Sequence, residues 1–406
     1  MTQVRILRLA AGGDGVARLP DGRTVFVPRT APGDLVELTQ VREHRRFARA
    51  RLERVLESSP HRVEPRCPHY VRDECGGCQL QHLDNDTQLA GRRGFVGDAL
   101  RRIAKRDLPD PPIAPSDKTY DYRTKLTLHV EPGARRIGLY RYDRAGQIFD
   151  LQWCHITVPP LMELWQTVRK LRPLLPPRLE QVVLRLDRHG GCHLVVRVGE
   201  GEVWSGAERL HREVQRRGTR VTLWYQPSGG VARAVAGAGE AFPATVFEQV
   251  HPEMGDRVRD FALQQLGDVA GRKIWDLYAG VGETTAQLVN RGGIVESVEL
   301  DRRAVAEAEA RGPAARRHVG RVEDVVRELR RPDVVITNPP RTGMDERVTA
   351  ELQRLLPARL VYISCDPATL ARDLQRLQHF RVALVQAFDL FPQTTHVETV
   401  TVLEPV

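Results

Sequence analysis

Apolar and polar positions alternate in three different rhythms along this chain. In the first, short apolar runs (Val4–Leu9, Val16–Leu19, Thr24–Val27, Leu35–Thr39, Phe47–Leu56) are broken by AGGDG, PDGR, TAPGD and REHRR. Gly, Asp and Pro at such breaks are turn formers, so the pattern predicts short strands folded into an OB-like β-barrel over residues 1–57. The second rhythm, residues 58–245, is mixed. A stretch rich in Pro, Cys and His precedes a helix predicted from Asp84 to Arg106. Strand-like runs (KLTLHV, VVLRL, HLVVRV, VTLWYQ) and a helical segment near 159–173 follow, which predicts an α+β domain. In the third, from residue 246 to 406, a helix at 252–266 leads into strands and helices that alternate with short connections. That rhythm belongs to a doubly wound, Rossmann-like α/β domain with helices on both faces of a parallel sheet.

Composition narrows the partners. The net charge is +9, and arginine supplies nearly all of the positive charge. A polyanion such as RNA suits that balance. The segment VREHRRFARARLERV carries six Arg against two Glu, and on a strand Arg49 and Arg51 share a face with Phe47. Basic and aromatic groups on one face read as an RNA platform. No apolar run reaches the ~20 residues of a membrane span. The first residues show no secretory pattern, so a cytoplasmic, reducing location is expected.

Chemistry gathers at the carboxyl ends of the C-terminal strands. DLYAGVGETT joins strand to helix through Gly280 and Gly282, and Glu299 ends the next strand, where an acid can accept both hydroxyls of a ribose. Asp276, a short glycine loop and a ribose acid together resemble the pattern of S-adenosylmethionine-dependent methyltransferases. VVITNPPR brings Asn338 to the same edge, an arrangement that would equally suit a methyltransferase acting on an amino nitrogen. LVYISC brings Cys365 there too. Asp366 is a good N-cap and Pro367 a good first helical residue, so a helix dipole is expected to lower the thiol's pKa and make it a nucleophile. In DLFPQTTHVETV, His396 and Glu398 precede the last strand, and a carboxylate there can serve as a general base.

A separate group, Cys67, Cys75 and Cys78 in CPHYVRDECGGCQLQH with Cys154 further on, fits four-thiolate ligation of an iron–sulfur cluster or of zinc. His69 and His82 are alternative zinc ligands.

Taken together, CGGCQLQH, YRTK, VFEQV, DLYAGVGE, NPPR, SCDPATLARDL and FPQTTHVE resemble the RNA 5-methyluridine methyltransferase family over nearly the whole chain. The resemblance implies a TRAM-type barrel, a central iron–sulfur and RNA-binding domain, and a class I methyltransferase domain. It further implies methylation of uridine carbon 5 with S-adenosylmethionine as donor, on 23S ribosomal RNA or else on transfer RNA, by a cytoplasmic monomer. Carried over residue by residue, it makes Cys365 the nucleophile and Glu398 the base. It puts cofactor contacts at Gln249, Tyr278, Glu283, Glu299 and Asn338, and [4Fe–4S] ligands at Cys67, Cys75, Cys78 and Cys154. Three positions depart from the family's pattern: Ala279 replaces a Cys, Glu283 an Asn, and Asn338 an Asp. The rival readings are an amino-methyltransferase, which would have no use for Cys365, and a non-catalytic RNA-binding protein, which would need neither Cys365 nor Glu398.

Overall fold

The structure is a computed structural model that describes residues 2–131, 136–144, 146–237 and 249–406. By its internal contacts the chain forms two units: Met1–Asp84 with Asp117–Pro252 and Pro392–Thr395, and Asn85–Ser116 with Glu253–Phe391 and His396–Val406. The helix of residues 84–106 is observed as Asn85–Arg102, and it groups with the second unit rather than with the central segment around it.

In the first unit, the run Val4–Leu9 makes two strands, Thr2–Arg5 and Arg8–Leu9, rather than one. The reason lies at Ile6 and Leu7. Ile6 N donates to Asp34 O (2.9 Å) and Leu7 N to Val16 O (2.8 Å), so the chain bends to bond on both sides. The six strands run Thr2–Arg5, Leu35–Glu43, Phe47–Glu57, Thr24–Val27, Gly15–Arg18, Arg8–Leu9, and the bend joins the two edge strands, closing the barrel. Val4, Ile6, Val25, Val27, Val36 and Ala48 fill its interior. On the strand Phe47–Glu57, Ala48 and Ala50 point inward while Arg49 points out, its side chain 63% exposed. Phe47 stands against His44 (4.5 Å) and Phe26 (5.8 Å).

The rest of this unit centres on a seven-stranded sheet in the order Ile148–Asp150, Ile137–Tyr140, Lys125–Val130, Leu179–Leu186, Cys192–Val198, Val221–Pro227, Arg233–Ala236. Only Cys192–Val198 and Val221–Pro227 pair in parallel. The helices Pro159–Lys170 and Ala207–Gln215 bury Trp165, Leu161 and Leu210 against the strand residues Leu128, Leu184 and Leu194. The short segment Pro392–Thr395 is held in this unit by backbone bonds: Gln79 N and Leu80 N both donate to Gln393 O (3.1 and 3.0 Å).

The second unit carries the doubly wound pattern. Arg316–Val319, Ile294–Glu299, Lys273–Leu277, Val334–Thr337 and Arg359–Ser364 lie side by side in that order, all parallel. Glu398–Pro405 and Phe380–Phe388 follow, each antiparallel to its predecessor, with Ile113–Ala114 at the edge. Val334–Thr337 is buried throughout, as expected of a strand covered on both faces. One face packs Leu277, Val335, Tyr362 and Leu370, the other Ile274, Ile336, Val361 and Leu263. The strand order reverses beside Lys273–Leu277, and in open α/β sheets a ligand crevice opens at the carboxyl ends at such a point. No helix among the described residues is long and apolar enough to cross a membrane.

Candidate active site

The strand Lys273–Leu277 ends in a turn built from positive φ angles: Tyr278 at 63°, Gly280 at 58° and Gly282 at 78°. A tyrosine rarely adopts that conformation, which marks the turn as strained. A Cβ at Gly280 would meet nothing within 4 Å, so space is open on that side. Glu299, at the end of the neighbouring strand, is fixed toward the turn. Its Oε2 accepts from Gly280 N (2.9 Å) and its Oε1 from Asp301 N (2.8 Å). Each carboxylate oxygen keeps a second lone pair for a ribose hydroxyl. Below the turn, Asp276 accepts from Thr285 Oγ1 (2.6 Å), and burial pushes its carboxyl up to about 6.

The other expected cofactor residues are placed less uniformly. Asn338 is exposed at the end of Val334–Thr337, its N donating to Leu277 O (3.2 Å). The Glu283 carboxylate is committed to Arg259, an ion pair that residue spacing gave no means of foreseeing. Gln249 belongs to the first unit and is half-buried, and the Val246, Phe247 and Glu248 that precede it in VFEQV lie outside the described residues.

Cys365 follows the strand Arg359–Ser364 directly and is half-buried. Glu398 opens the antiparallel strand beside it. Ser364 pairs with Thr399, and Thr399 Oγ1 donates to Ser364 O (3.1 Å). Cys365 is the residue after Ser364 and Glu398 the residue before Thr399, and the charge of Glu398 acts on the Cys365 thiol. Glu398 is 1% exposed, and its Oε2 has no hydrogen-bond partner among the described residues. Burial pushes its carboxyl up to about 8, against the pull of Arg341.

The expected lowering of the Cys365 thiol is not what the structure shows. Burial pushes the thiol up, the charge of Glu398 adds to this, and Arg341 opposes it. The helix N-terminus does not reverse the balance because Asp366 uses it: its Oδ1 accepts from Ala368 N and Thr369 N, both at 2.9 Å. The local cap was legible, but its consequence for the thiol was not.

Arg341 is the residue that motif reading passed over, although it ends the NPPR stretch. Its Nη2 lies 3.2 Å from His396 Nε2, and it is the cation acting on both Cys365 and Glu398. Asp389, another carboxylate near this edge, is fully buried in an ion pair with Arg92 (3.0 Å) and is thereby committed.

The cysteine group lies in the first unit. Cys67, Cys75 and Cys78 are buried, Cys154 is half-buried, and all four are free thiols. Cys67, Cys78 and Cys154 pack with Tyr70, Tyr122 and Ile156. The four are electrostatic neighbours of one another, and burial pushes Cys75 up to about 12. Among the described residues no three His, Cys, Asp or Glu side chains are gathered closely enough to hold a metal ion. Neither nearby histidine joins the thiols. His69 Nδ1 pairs with Asp73 (2.6 Å) and its Nε2 accepts from Gln152 N (3.1 Å). His82 bonds Tyr70 Oη (2.6 Å) and Thr30 O (3.2 Å).

Comparison with known proteins gives this geometry its family. Residues 293–406 match the family described as tRNA (Uracil-5-)-methyltransferase, and residues 2–52 match the TRAM domain. A Thiobacillus denitrificans protein named as a 23S rRNA (uracil(1939)-C(5))-methyltransferase is 30% identical over 99% of both chains. An uncharacterised RNA methyltransferase of Nostoc sp. is 33% identical over 98% of this chain and 95% of its own. Among solved structures, the Pyrococcus abyssi tRNA (uracil-54, C5)-methyltransferase in complex with S-adenosyl-L-homocysteine superimposes with a TM-score of 0.74. It is 23% identical, with 98% of this chain and 99% of that one covered, a likeness of fold. Matched from end to end by RNA methyltransferases, the chain belongs to the RNA uracil-5-methyltransferase family, with an N-terminal TRAM domain.

Proposed function

We propose that this enzyme methylates carbon 5 of a uracil in 23S ribosomal RNA, with Cys365 as covalent nucleophile and Glu398 as base. The observation that carries the reading is the interaction of Cys365 with Glu398: a half-exposed thiol acted on by a buried carboxyl that has an oxygen to spare. Carbon 5 of uracil is a weak nucleophile. Addition of the Cys365 thiolate forms an S–C6 bond and moves the C5–C6 π electrons into an enolate. S-adenosylmethionine supplies an electrophilic methyl group on sulfonium sulfur, which carbon 5 takes as the S–CH3 bond breaks, its electrons return to sulfur and a neutral thioether leaves. Glu398 then removes the proton from carbon 5, the C5–C6 double bond re-forms, and the thiolate leaves. Arg341 favours the ionised form of both groups.

The donor's fit rests on Glu299, whose carboxylate is aimed at the open side of Gly280. Tyr278 and Asn338 complete the proposed contacts within this unit. Glu283 contributes through its place at the start of its helix, because Arg259 takes its carboxylate. The target base must leave its stack to reach the strand edge, so an unpaired uridine is expected. Arg49 and Phe47 on the barrel suit RNA binding.

We read Cys67, Cys75, Cys78 and Cys154 as ligands of a [4Fe–4S] cluster. Four thiols that act on one another electrostatically, with no histidine among them, support this, and in such a cluster the ligands sit further apart than around a single ion. Free cysteines suit a cytoplasmic location. The preference for 23S RNA follows the end-to-end likeness to the Thiobacillus protein.

Mapping 5-methyluridine in ribosomal and transfer RNA from cells with and without the gene tests the substrate. Loss of one 23S site is expected. Loss confined to transfer RNA would reassign the substrate, and no loss in either would overturn the reading.

A further inference from the structure

Arg341 occupies the second position of a tight turn, Pro340–Gly343, closed by Gly343 N donating to Pro340 O (2.8 Å). What fixes the far end of that turn is a side chain with no role so far. Asp373, on the helix Pro367–Arg376 that begins just after Cys365, is fully buried. Its Oδ2 accepts from Met344 N (2.7 Å) and from Tyr362 Oη (2.7 Å), and its Oδ1 accepts from Arg372 Nε (3.0 Å) and Nη2 (2.7 Å). Arg372 Nη2 also donates to Thr342 O (2.8 Å). Arg376 adds a bond to Met344 O (3.3 Å). The backbone is pressed so closely here that a Cβ at Gly343, where φ is 75°, would stand 2.5 Å from Asp373 Oδ2.

A buried carboxylate is costly unless its lone pairs are filled. These are filled from three sources: the nucleophile's strand through Tyr362, the carboxylate's own helix through Arg372, and the Arg341 turn through Met344. We propose that Asp373, assisted by Arg372, is a positioning residue of the reaction, holding the Pro340–Met344 turn so that Arg341 faces Cys365 and Glu398. The inference deepens the reading above and rests on its assignment of that pair. Glu398, Asp366 and Arg341 are the charged groups acting on the thiol, and His396 lies against Arg341.

The test uses Glu398→Gln protein, so that titration of the carboxylate does not mask the cation's effect. Alkylation of Cys365 by iodoacetamide is followed by peptide mass spectrometry from pH 7 to 10, with thermal stability measured alongside. Without Arg341 in place the thiol ionises at higher pH. Arg341→Gln and Asp373→Asn should therefore each slow alkylation at pH 8 by roughly three- to ten-fold, the thiolate lost for a shift of a half to one pKa unit. Their combination should be no slower than Arg341→Gln alone, because Asp373 acts through Arg341. A merely structural role would give independent effects that multiply. Multiplied effects, or normal alkylation in Asp373→Asn, would overturn the proposal. Should Asp373→Asn fail to fold, Arg372→Gln, which removes the bond to Thr342, must show the same non-additivity with Arg341→Gln. Alkylation needs neither RNA nor methyl donor. A chain that shows the non-additivity but does not methylate uracil would therefore refute the reaction and leave the clamp standing.

Discussion

The chain uses cysteine in two places, and the surroundings make them different residues. Cys365 stands alone at a strand end, half-exposed, with the Glu398 carboxyl acting on it and an arginine acting on both. Cys67, Cys78 and Cys154 are packed among tyrosines, and Cys75, buried in the neighbouring core, is their electrostatic neighbour. A thiol that must attack and later leave needs access, a partner for the proton and a nearby positive charge. Thiols that share a metal need one another and a dry pocket. The contrast teaches that the pattern around a cysteine, more than its own burial, assigns its chemistry. Burial pushes thiols up at both places.

The comparison breaks most decisively at Cys365. Cys365→Ala should lower methyl transfer by about 10⁴-fold or more, the scale seen when a covalent nucleophile is removed. Iron content should stay unchanged. Appreciable turnover would move the enzyme to amino-methyl chemistry, which needs no thiol.

The opposite arm is Cys78→Ser. Anaerobically purified wild-type protein should be brown, with about four iron atoms per chain, and the variant should lose most of that iron. Cys365 should still be alkylated within about two-fold of the wild-type rate, because the two places answer to different neighbours. Colourless wild-type protein with stoichiometric zinc would reject the cluster and remove half of the contrast.

The smallest effect sharpens the role of Glu398. Its carboxyl ionises near 4.5 in the unfolded chain and near 8 in the fold. Between those values the folded state holds the extra proton, so this group's contribution to stability falls as pH rises through the window. Glu398→Gln removes the fall. Melting temperatures of variant and wild type should agree near pH 4, and the variant should melt about 3 °C or more higher at pH 9. Equal curves at both values would mean that Glu398 is not held protonated. The same titration predicts a proton-removal step that quickens as pH rises through about 8.

Local chemistry was legible in the sequence, and long-range chemistry was not. Asp366 caps its helix as expected because a cap needs only its own next three residues. The strand ends that gather Tyr278, Glu299, Asn338 and Cys365 follow from the alternation of apolar strands and helices. The barrel's first run divided because bonds to Asp34 and Val16 bend it, and neither is near in sequence. Glu283 is expected at the cofactor, and its ion pair with Arg259, 24 residues away, is not legible in the spacing. The direction of the Cys365 shift depended on Glu398 and burial, which only the folded sheet supplies. Arg341 was in plain view in NPPR, but nothing local distinguished it from the chain's many other arginines.

The central claim, one covalent cycle run by Cys365 and Glu398, is tested most directly by trapping it. Glu398→Gln enzyme is mixed with substrate RNA and methyl-labelled S-adenosylmethionine, denatured, digested and analysed by mass spectrometry. The account predicts a denaturation-resistant adduct that accumulates because release is blocked, with a labelled methyluridine attached to the peptide containing Cys365. Free 5-methyluridine produced at the wild-type rate with no adduct, or an adduct on any other residue, would contradict it.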